Sequence, residues 1–313
     1  MTKRFSSKLL SVFFALFLGA AAETAAANPY AVFIVHCEPN NADAESFLEL
    51  SELVAAADLH GVRVTIDFTP PWAKMILEND SFLESVEEWT EAGHEIGVHH
   101  HPYGVSLVRN TQWDGYTNTD LANVDAGDLP NYLGDMFQFM AVLNALPGTR
   151  TSGTLGLSLA LDLGDFPQSL TYSARGHEFS EVVSRPEVVV YEDQVVWEMT
   201  HGLFWNATLA ELASAYDSAG SDEIFAVVTH VSNYEASPAA VQQVEDFFAF
   251  LSSRDPLATK LVTVTSAMDA TLPAVPALTP PGVGVLVGLL LGLGAARLRS
   301  RRAAPGPKPG RSH

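Results

Sequence analysis

Short apolar runs alternate with helical patterns along the middle of the chain, and this alternation restricts the fold more than any other feature. Residues 31–35 are continuously apolar, as buried parallel strands are, and residues 43–60 carry apolar side chains at helical spacing before Gly61. Further strands are predicted at residues 62–68, 94–99, 149–154, 169–173, 224–229 and 261–264, and further helices at residues 72–92 and 132–146. Seven strands with intervening helices predict an α/β chain, folded as one irregular (β/α)7 barrel rather than as two domains. Residues 188–191 and 195–199 predict an inserted β-hairpin.

The N-terminal 27 residues have the layout of a secretory signal peptide. Lys3, Arg4 and Lys8 precede an apolar run at residues 9–22, and alanines at residues 25–27 form a small-residue exit. A retained membrane anchor is the alternative, although a run of about 14 apolar residues is short for a membrane span. We therefore expect cleavage near Ala27 and a barrel that occupies residues 28–272.

Residues 273–313 have the three-part order of a membrane or sorting tail. A proline-rich spacer is followed by an uncharged apolar stretch at residues 282–296, and then by Arg297, Arg299, Arg301 and Arg302. This order is similar to the C-terminal sorting signals of Gram-negative bacteria, which implies an exosortase-like or rhombosortase-like protease as a partner. An ordinary single-span tail anchor is the alternative. Both interpretations predict export, with residues 28–272 in the periplasm, on the outer surface or secreted.

The charge of the barrel segment excludes one class of partner. Residues 28–272 hold eight Lys or Arg against 36 Asp or Glu, a difference of 28 negative charges. Such a field repels nucleic-acid phosphates, so no nucleic-acid partner is expected. Cys37 is the single cysteine of the chain, which excludes an internal disulfide and a cysteine-rich zinc module. Any metal ion must therefore be held by histidines and carboxylates.

Polar residues follow two of the predicted strands at the point where each strand ends. Alternation puts His36 and Glu38 on one face after the first strand, and His99 and His101 on one face after the third. The carboxyl ends of barrel strands meet at one mouth, where catalytic groups of such barrels gather. Two imidazoles and a carboxylate at that mouth predict a site for a divalent metal ion, with Zn²⁺ as the first candidate.

The segment Gly93-His94-Glu95-Ile96-Gly97-Val98-His99 resembles the second motif of the polysaccharide deacetylase superfamily, the NodB-homology fold. The resemblance covers roughly residues 30–268. It implies a β/α barrel of the deacetylase type that hydrolyses N- or O-acetyl groups on a carbohydrate. Metal ligation is implied for Glu38, His99 and His101.

The same resemblance implies catalytic roles for three more residues. His36 stands where the family has its base aspartate, Arg150 matches an arginine after the fourth strand, and His230 matches the general acid at the end of a late apolar strand. A neutral imidazole at His36 is expected either to act as the base or to become a fourth metal ligand. The histidine spacing also departs from the family, because the usual second ligand position falls on Tyr103.

The long loop after the third strand carries the candidate sugar-binding residues. Tyr103, Trp113 and Tyr116 are predicted to stack on sugar rings, with packing of the loop as the alternative role. His177 and His201 are weaker candidates for the mouth of the barrel.

Three other functions stay open at this point. A non-catalytic, surface-displayed carbohydrate-binding protein of the same fold is favoured by the replacement of the base aspartate with His36. An amidohydrolase or PHP-like metallohydrolase also uses a His-x-His pair, although there the pair ends the first strand. A glycoside hydrolase requires two facing carboxylates, for which Glu38 with Glu178 or Asp165 is the candidate pair.

Overall fold

The structure is a computed structural model, and it describes residues 28–103, 113–155, 165–167, 169–177, 181–191, 194–234 and 236–272. The predicted signal peptide at residues 1–27 and the predicted tail at residues 273–313 lie outside the described residues. By its internal contacts the chain divides into Met1–Thr271 and Leu272–His313. The fold described below belongs to the first of these units.

Seven parallel strands close into a barrel, which confirms the predicted (β/α)7 architecture. The described strands, in chain order, are β1 Tyr30–Cys37, β2 Val64–Phe68, β3 Glu95–His100, β4 Ser152–Leu155, β5 Tyr172–His177, β6 Val183–Ser184, β7 Glu187–Tyr191, β8 Gln194–Leu203 and β9 Ile224–His230. Parallel pairing runs from β9 through β1, β2, β3, β4 and β5 to β8, and β8 returns to β9. β6 and β7 lie antiparallel on β9 and β8, respectively.

The described α-helices cover the outside of this barrel. They are α1 Ala44–Leu59, α2 Pro70–Leu77, α3 Asp80–Glu91, α4 Met136–Leu143, α5 Leu209–Ser218, α6 Val231–Tyr234, α7 Pro238–Arg254 and α8 Val264–Thr271. Local sequence sets several boundaries: Asp43 caps α1 by accepting the N–H of Ser46, and Gly61 follows α1 in the left-handed region with φ of 69°. Thr208 and Glu211 form a reciprocal capping box at the start of α5.

The seventh barrel strand differs from the one that the sequence predicted. Residues 261–264 do not form a strand: Leu261 makes a single bridge to Ala31, and the chain then enters α8. β8 completes the barrel instead, although its first half had been predicted only as part of a hairpin. The hairpin is real, but β8 is ten residues long: one of its edges pairs antiparallel with β7 and then parallel with β9, while the other edge pairs parallel with β5. Local periodicity does not reveal a strand that changes partners along its length.

Alternation along the strands separates two buried environments. Outward-facing residues such as Phe33, Val35 and Phe68 pack with the helices in the main hydrophobic core. Inward-facing Ile34 and Val228 are apolar, whereas His36 and His230 at the carboxyl ends of the same two strands are polar, as are inward groups of β2, β3 and β4. In register, these inward polar groups are Thr65 beside Glu95, and Asp67 beside His36. The barrel interior is therefore apolar at the middle of β1 and β9 and polar where these two strands end.

Candidate metal centre

Four predicted residues meet at the carboxyl ends of β1, β3 and β9. Their contacts centre on the carboxylate of Glu38. Its Oε1 lies 3.3 Å from His99 Nε2 and 3.2 Å from His230 Nε2, and its Oε2 lies 2.7 Å from His101 Nε2. The Nε2 atoms of His99 and His101 are 2.8 Å apart. The structure therefore brings the three predicted ligands together and adds His230, predicted as a general acid, to the same cluster.

Hydrogen bonds on the far side of two rings orient their Nε2 atoms toward Glu38. His99 Nδ1–H donates to the main-chain oxygen of Thr154 at 2.9 Å, and His230 Nδ1–H donates to Asn233 Oδ1 at 3.1 Å. Because a carbonyl oxygen only accepts, both Nδ1 atoms carry a proton, and in the neutral His99 ring the Nε2 lone pair faces the cluster. A partner of this kind on the second nitrogen is typical of metal-binding histidines.

The electrostatics of the cluster keep Glu38 ionised. Burial alone would raise the pKa of the Glu38 carboxyl, but hydrogen bonds with His101, His230 and His99 lower that pKa far below its usual range. Burial lowers the pKa of His99, with a further lowering from His101, while Glu38 acts in the opposite direction. The result is a buried carboxylate beside the Nε2 atoms of three imidazoles.

This donor set fits a divalent metal ion. A carboxylate and imidazole lone pairs repel one another at these separations unless a proton or a cation lies among them. Imidazole nitrogen and carboxylate oxygen are the ligands that Zn²⁺ prefers in the absence of cysteine. Glu38, His99 and His101 would hold the ion, with His230 next to them. By the distances among ligand atoms, His36, Glu38 and His99 also form a possible ligand group.

His36 lies at the inner side of the cluster. Its ring stacks on that of His99 with centroids 4.1 Å apart, and it lies edge-to-face against His201 and His230. Its Nε2 is buried, has no hydrogen-bond partner among the described residues, and lies 4.0 Å from Asp67 Oδ2. Burial lowers the pKa of His36 well below its usual value, as do the neighbouring histidines. The predicted base is thus a neutral imidazole beside the ligands.

Asp67 is a buried residue at this site that the sequence analysis missed. It lies in register between His36 and Gly97, and its Oδ2 accepts the hydroxyl of Thr154 at 2.7 Å. Burial raises the pKa of Asp67 to about 8, and the charge of Glu95 also raises it, against the Thr154 hydrogen bond. The sequence feature that could have identified Asp67 is a carboxyl group within the short, otherwise uncharged strand Val64–Phe68.

His94 and Glu95, in the family-like motif at residues 93–97, fix the position of β3 through hydrogen bonds away from the histidine cluster. His94 Nδ1 accepts the N–H of Val64 at 3.1 Å, and His94 Nε2 lies 3.2 Å from Asp58 Oδ1. Glu95 accepts hydrogen bonds from Thr265 and Ser152 at the opposite end of the barrel interior from the metal centre. These two residues organise β3 without contacting the histidine cluster.

Arg150 is not part of the cluster, which corrects its predicted catalytic role. Its guanidinium is buried and donates to the main-chain oxygens of Leu143, Ile96, Leu146 and Pro147. Arg150 precedes β4, at the amino end of the strands, whereas the histidines lie at their carboxyl ends. Burial lowers the pKa of Arg150 to about 10, against the charge of Glu95. Through these hydrogen bonds Arg150 links β3 to the C-terminal end of α4.

The three predicted sugar-binding residues have different surroundings. Tyr116 is 2% exposed, with its ring edge-to-face on Phe139, so it offers no free face and its predicted stacking role is wrong. Tyr103 and Trp113 are half-buried, and their ring centroids are 5.0 Å apart. The Tyr103 hydroxyl donates to Asp128, and the Trp113 indole donates to the main-chain oxygen of Tyr116. The side chains of Tyr103 and Trp113 are therefore partly exposed in the segment after the third strand.

A second buried polar group lies behind β3, on its outward face. His100 Nδ1–H donates to Asp114 Oδ2 at 2.7 Å, and His100 Nε2 lies 3.9 Å from Asp165 Oδ2. Burial alone would lower the pKa of His100, but the carboxylates of Asp114 and Asp165 raise it to about 9. Asp165 also accepts hydrogen bonds from Thr117 and Asn118. Asp165 therefore belongs to this group and does not pair with Glu38 as a glycosidase would require.

The remaining candidates divide between the cluster and the undescribed parts of the chain. His201 is buried, with its ring 5.6 Å from that of His36, so it lies at the inner side of the cluster. His177 ends β5, and its side chain lies outside what the structure describes, as does Glu178. In the described part of the chain, no helix combines the length and the apolar character that a membrane crossing needs.

Comparison with known proteins supports the fold. No protein-family model matches the sequence, and no curated protein does. A protein of Mycobacterium smegmatis assigned to the polysaccharide deacetylases is 12% identical, with a TM-score of 0.49 over 78% of this chain and 91% of that chain. The 4-alpha-glucanotransferase of Thermococcus litoralis is 13% identical, with a TM-score of 0.51 over 77% of this chain and 38% of that enzyme. At such identities a structural likeness concerns the fold alone. The chain is a mixed α/β protein with a closed, seven-stranded parallel barrel.

Proposed function

We propose that this protein is an exported, metal-dependent hydrolase that removes N- or O-acetyl groups from a carbohydrate. One observation carries the proposal: Glu38, His99, His101 and His230 converge at the mouth of the barrel with their nitrogen and oxygen ligand atoms close together. The likeness of the residue 93–99 segment to the second deacetylase motif, stated above, supports the choice of reaction. A bound divalent ion would lower the pKa of a water molecule and polarise the acetyl carbonyl.

The chain's own residues supply the proton transfers that hydrolysis needs. His36 Nε2 is buried and has no hydrogen-bond partner in the part of the chain that the structure describes, and it is the proposed acceptor of the proton lost by the attacking water. The water oxygen bonds to the acyl carbon, and the bond from that carbon to the sugar nitrogen or oxygen breaks. His230 is more exposed than His99 and is the proposed donor of a proton to the leaving group. Acetate and the deacetylated sugar are the products.

The surroundings of the mouth support a carbohydrate as the substrate. Tyr103 and Trp113 lie beyond β3 with partly exposed rings, and flat aromatic faces pack well against sugar rings. The acidic barrel segment disfavours a strongly anionic polymer. We propose a neutral or basic glycan.

The test uses the purified full-length chain. Elemental mass spectrometry is expected to find about one zinc or similar ion per chain, and to find none in the His99→Ala, His101→Ala double variant. The metal-loaded protein is then incubated with acetylated chitin and xylan oligosaccharides, and released acetate is measured, with His36→Ala as the inactive control. A chain that binds no metal after reconstitution would refute the metallohydrolase proposal.

The contacts of His36 favour one other function, a surface-displayed carbohydrate-binding protein without activity. His36, Glu38 and His99 have ligand atoms close enough to share one ion. An ion held this way would leave no free base at His36. Two results together would support this second function over hydrolysis. The wild type would bind metal without releasing acetate, and His36→Ala would bind the metal more weakly than the wild type.

Export and surface attachment are also proposed, on the basis of the two ends of the sequence. The signal-peptide pattern of residues 1–27 and the spacer, apolar stretch and arginines of residues 273–313 support passage out of the cytoplasm of a Gram-negative bacterium. Fractionation of cells that express the full-length chain, followed by mass spectrometry of both mature ends, tests this. An intact Met1 on a cytoplasmic product would contradict it.

A further inference from the structure

The candidate ligand His101 lies just beyond the strand that leads to it. β3 ends at His100, and the pairing of β3 with β4 ends at the pair His100–Leu155. Within the described residues, the main chain of His101 is therefore not part of the barrel ladder. Yet its Nε2 must approach Glu38 and His99 to within 2.8 Å, so another part of the chain has to fix its position.

Asp114 holds both main-chain polar groups of His101. The N–H of Asp114 donates to the His101 oxygen at 3.3 Å, and the Asp114 Oδ2 accepts the His101 N–H at 3.0 Å. Asp114 thus provides hydrogen bonds of the kind that a neighbouring strand would make with the main chain of His101. The distance in sequence is only 13 residues, but the contact is a tertiary one across the long loop after β3.

The side chain of Asp114 is itself fixed. It is fully buried, its Oδ2 also accepts the Nδ1–H of His100 at 2.7 Å, and its Oδ1 accepts the N–H of Tyr116 at 3.1 Å. Three N–H donors therefore share the two oxygens of one carboxylate. An asparagine would turn its NH₂ group toward at least one of these donors, so the arrangement requires an aspartate.

We propose that Asp114 is a positioning residue of the metal centre, which fixes the main chain of His101 so that its imidazole reaches the ion. This inference rests on the proposed metal-dependent function. It assigns no catalytic contact to Asp114, because the carboxylate faces away from the cluster, toward the outward side of β3. The expected consequence of its loss is weaker metal binding, as is typical when a group that orients a ligand is removed.

Asp165 provides a matched control. It is buried, it lies 3.9 Å from the other nitrogen of His100, and it accepts two hydrogen bonds, but these come from Thr117 and Asn118 instead of a ligand residue. Asp165→Asn therefore disturbs the same buried group as Asp114→Asn without releasing His101. A merely structural role for Asp114 predicts the same behaviour for both variants.

The experiment measures metal binding and stability separately. The full-length wild type, Asp114→Asn and Asp165→Asn are stripped of metal, their Zn²⁺ affinity is measured by competition with a chromophoric chelator, and their Co²⁺ absorption spectra are recorded. Asp114→Asn is expected to weaken Zn²⁺ binding by about 10- to 100-fold and to change the Co²⁺ spectrum. Asp165→Asn is expected to lower the thermal midpoint while its affinity and spectrum stay at the wild-type values.

The outcomes separate this inference from the proposed function. If the wild type binds Zn²⁺ and the two variants bind it equally well, the role of Asp114 is refuted and the metal site stands. If the wild type binds no Zn²⁺, the proposed function and the inference both fail. Should Asp114→Asn not fold, Asp114→Glu serves instead, because it keeps the charge beside His100 but displaces the oxygen from the His101 N–H.

Discussion

Gly97 leaves space in the barrel interior that Asp67 occupies. A Cβ added at Gly97 would overlap Asp67 Oδ1 and crowd the main-chain oxygen of Ser152. Asp67 in turn lies beside His36 and accepts the hydroxyl of Thr154, whose main-chain oxygen receives the His99 N–H. The absence of one side chain on β3 therefore makes room for a carboxyl group beneath the metal centre.

This packing predicts an energetic coupling between the two positions. Gly97→Ala is expected to lower the free energy of unfolding by about 1–3 kcal/mol, and to cost much less when Asp67→Ala has vacated the space. Urea denaturation of both single variants and the double variant measures the coupling. Gly127→Ala is the control, because a Cβ there has open space around it. Additive effects of the two substitutions would show that Asp67 and Gly97 do not compete for the same volume.

His94 predicts a pH dependence of stability that is separate from the metal centre. Its Nδ1 accepts the Val64 N–H, so the folded state requires the neutral ring. Burial lowers the pKa of His94, with partial opposition from Asp58. Below about pH 6.5 the unfolded chain binds a proton at this residue that the folded chain does not, so stability falls as the pH drops from there, by at most about 1.4 kcal/mol per pH unit.

The measurement for His94 is the free energy of unfolding from pH 7.5 to pH 5, for the wild type and for His94→Asn. The asparagine oxygen can accept a hydrogen bond but does not titrate, so the variant is expected to lose less stability on acidification. His60→Asn, at a half-buried position next to α1, controls for the removal of a histidine. Parallel pH curves for the wild type and His94→Asn would contradict the assignment of the neutral ring.

Among the elements, α8 is joined to the barrel through Glu95. The Glu95 carboxylate accepts the N–H of Thr265 at 2.9 Å and the hydroxyls of Thr265 and Ser152, so one side chain links β3, β4 and the first turn of α8. A carboxylate at a helix N-terminus is favoured by the free N–H groups there. The C-terminal helix of the described fold is thereby fastened to the amino end of the barrel.

Glu95→Gln is expected to destabilise the fold by about 1–3 kcal/mol, because the amide NH₂ meets donors where the carboxylate accepted hydrogen bonds. Zinc binding is expected to persist, since Glu95 lies at the other end of the barrel interior. Chemical denaturation and zinc content test both statements together. Glu91→Gln, at an exposed position of α3, is the matched control and should leave stability unchanged. Loss of zinc from folded Glu95→Gln would show that the two ends of the barrel are not independent.

At the scale of the whole molecule, a metal ion would join separate strands of the barrel. Its candidate ligands come from β3 and from the segments that follow β3 and β1, with His230 at the end of β9. The ladder between β8 and β9 closes the barrel over only Gly202–Val227 and Leu203–Val228. An ion that binds the folded state alone stabilises it by about 2.7 kcal/mol at a hundred times its dissociation constant. Zinc occupancy should therefore stabilise the barrel as a unit.

Thermal unfolding of the metal-free chain with and without added Zn²⁺ tests this expectation. The midpoint is expected to rise with Zn²⁺, to return to the metal-free value with a chelator, and to stay constant in the His99→Ala, His101→Ala double variant. An equal rise in the double variant would show that the ion binds elsewhere, for example at surface carboxylates, and not at the predicted centre.

The sequence by itself determined the class of the fold and the local pairing of four residues at the histidine cluster. Alternation within a strand places His36 with Glu38, and His99 with His101, because this relation is local and does not depend on the partner strands. The parallel barrel also follows from local signals, since buried strands and amphipathic helices alternate in it. The hairpin strand that closes the barrel could not be found this way, because β8 changes its pairing partner along its length.

The tertiary structure decided which polar residues share a site. Arg150 and Tyr116 matched local patterns but bury their side chains in other contacts, whereas His230 joins Glu38 from a strand about 190 residues away. Strand register places Asp67 beside His36, and a loop contact places Asp114 against His101. Neither contact can be predicted from spacing in the sequence. The periodicity of the sequence predicts on which face of a strand a side chain lies. The closure of the barrel determines which of these faces come into contact.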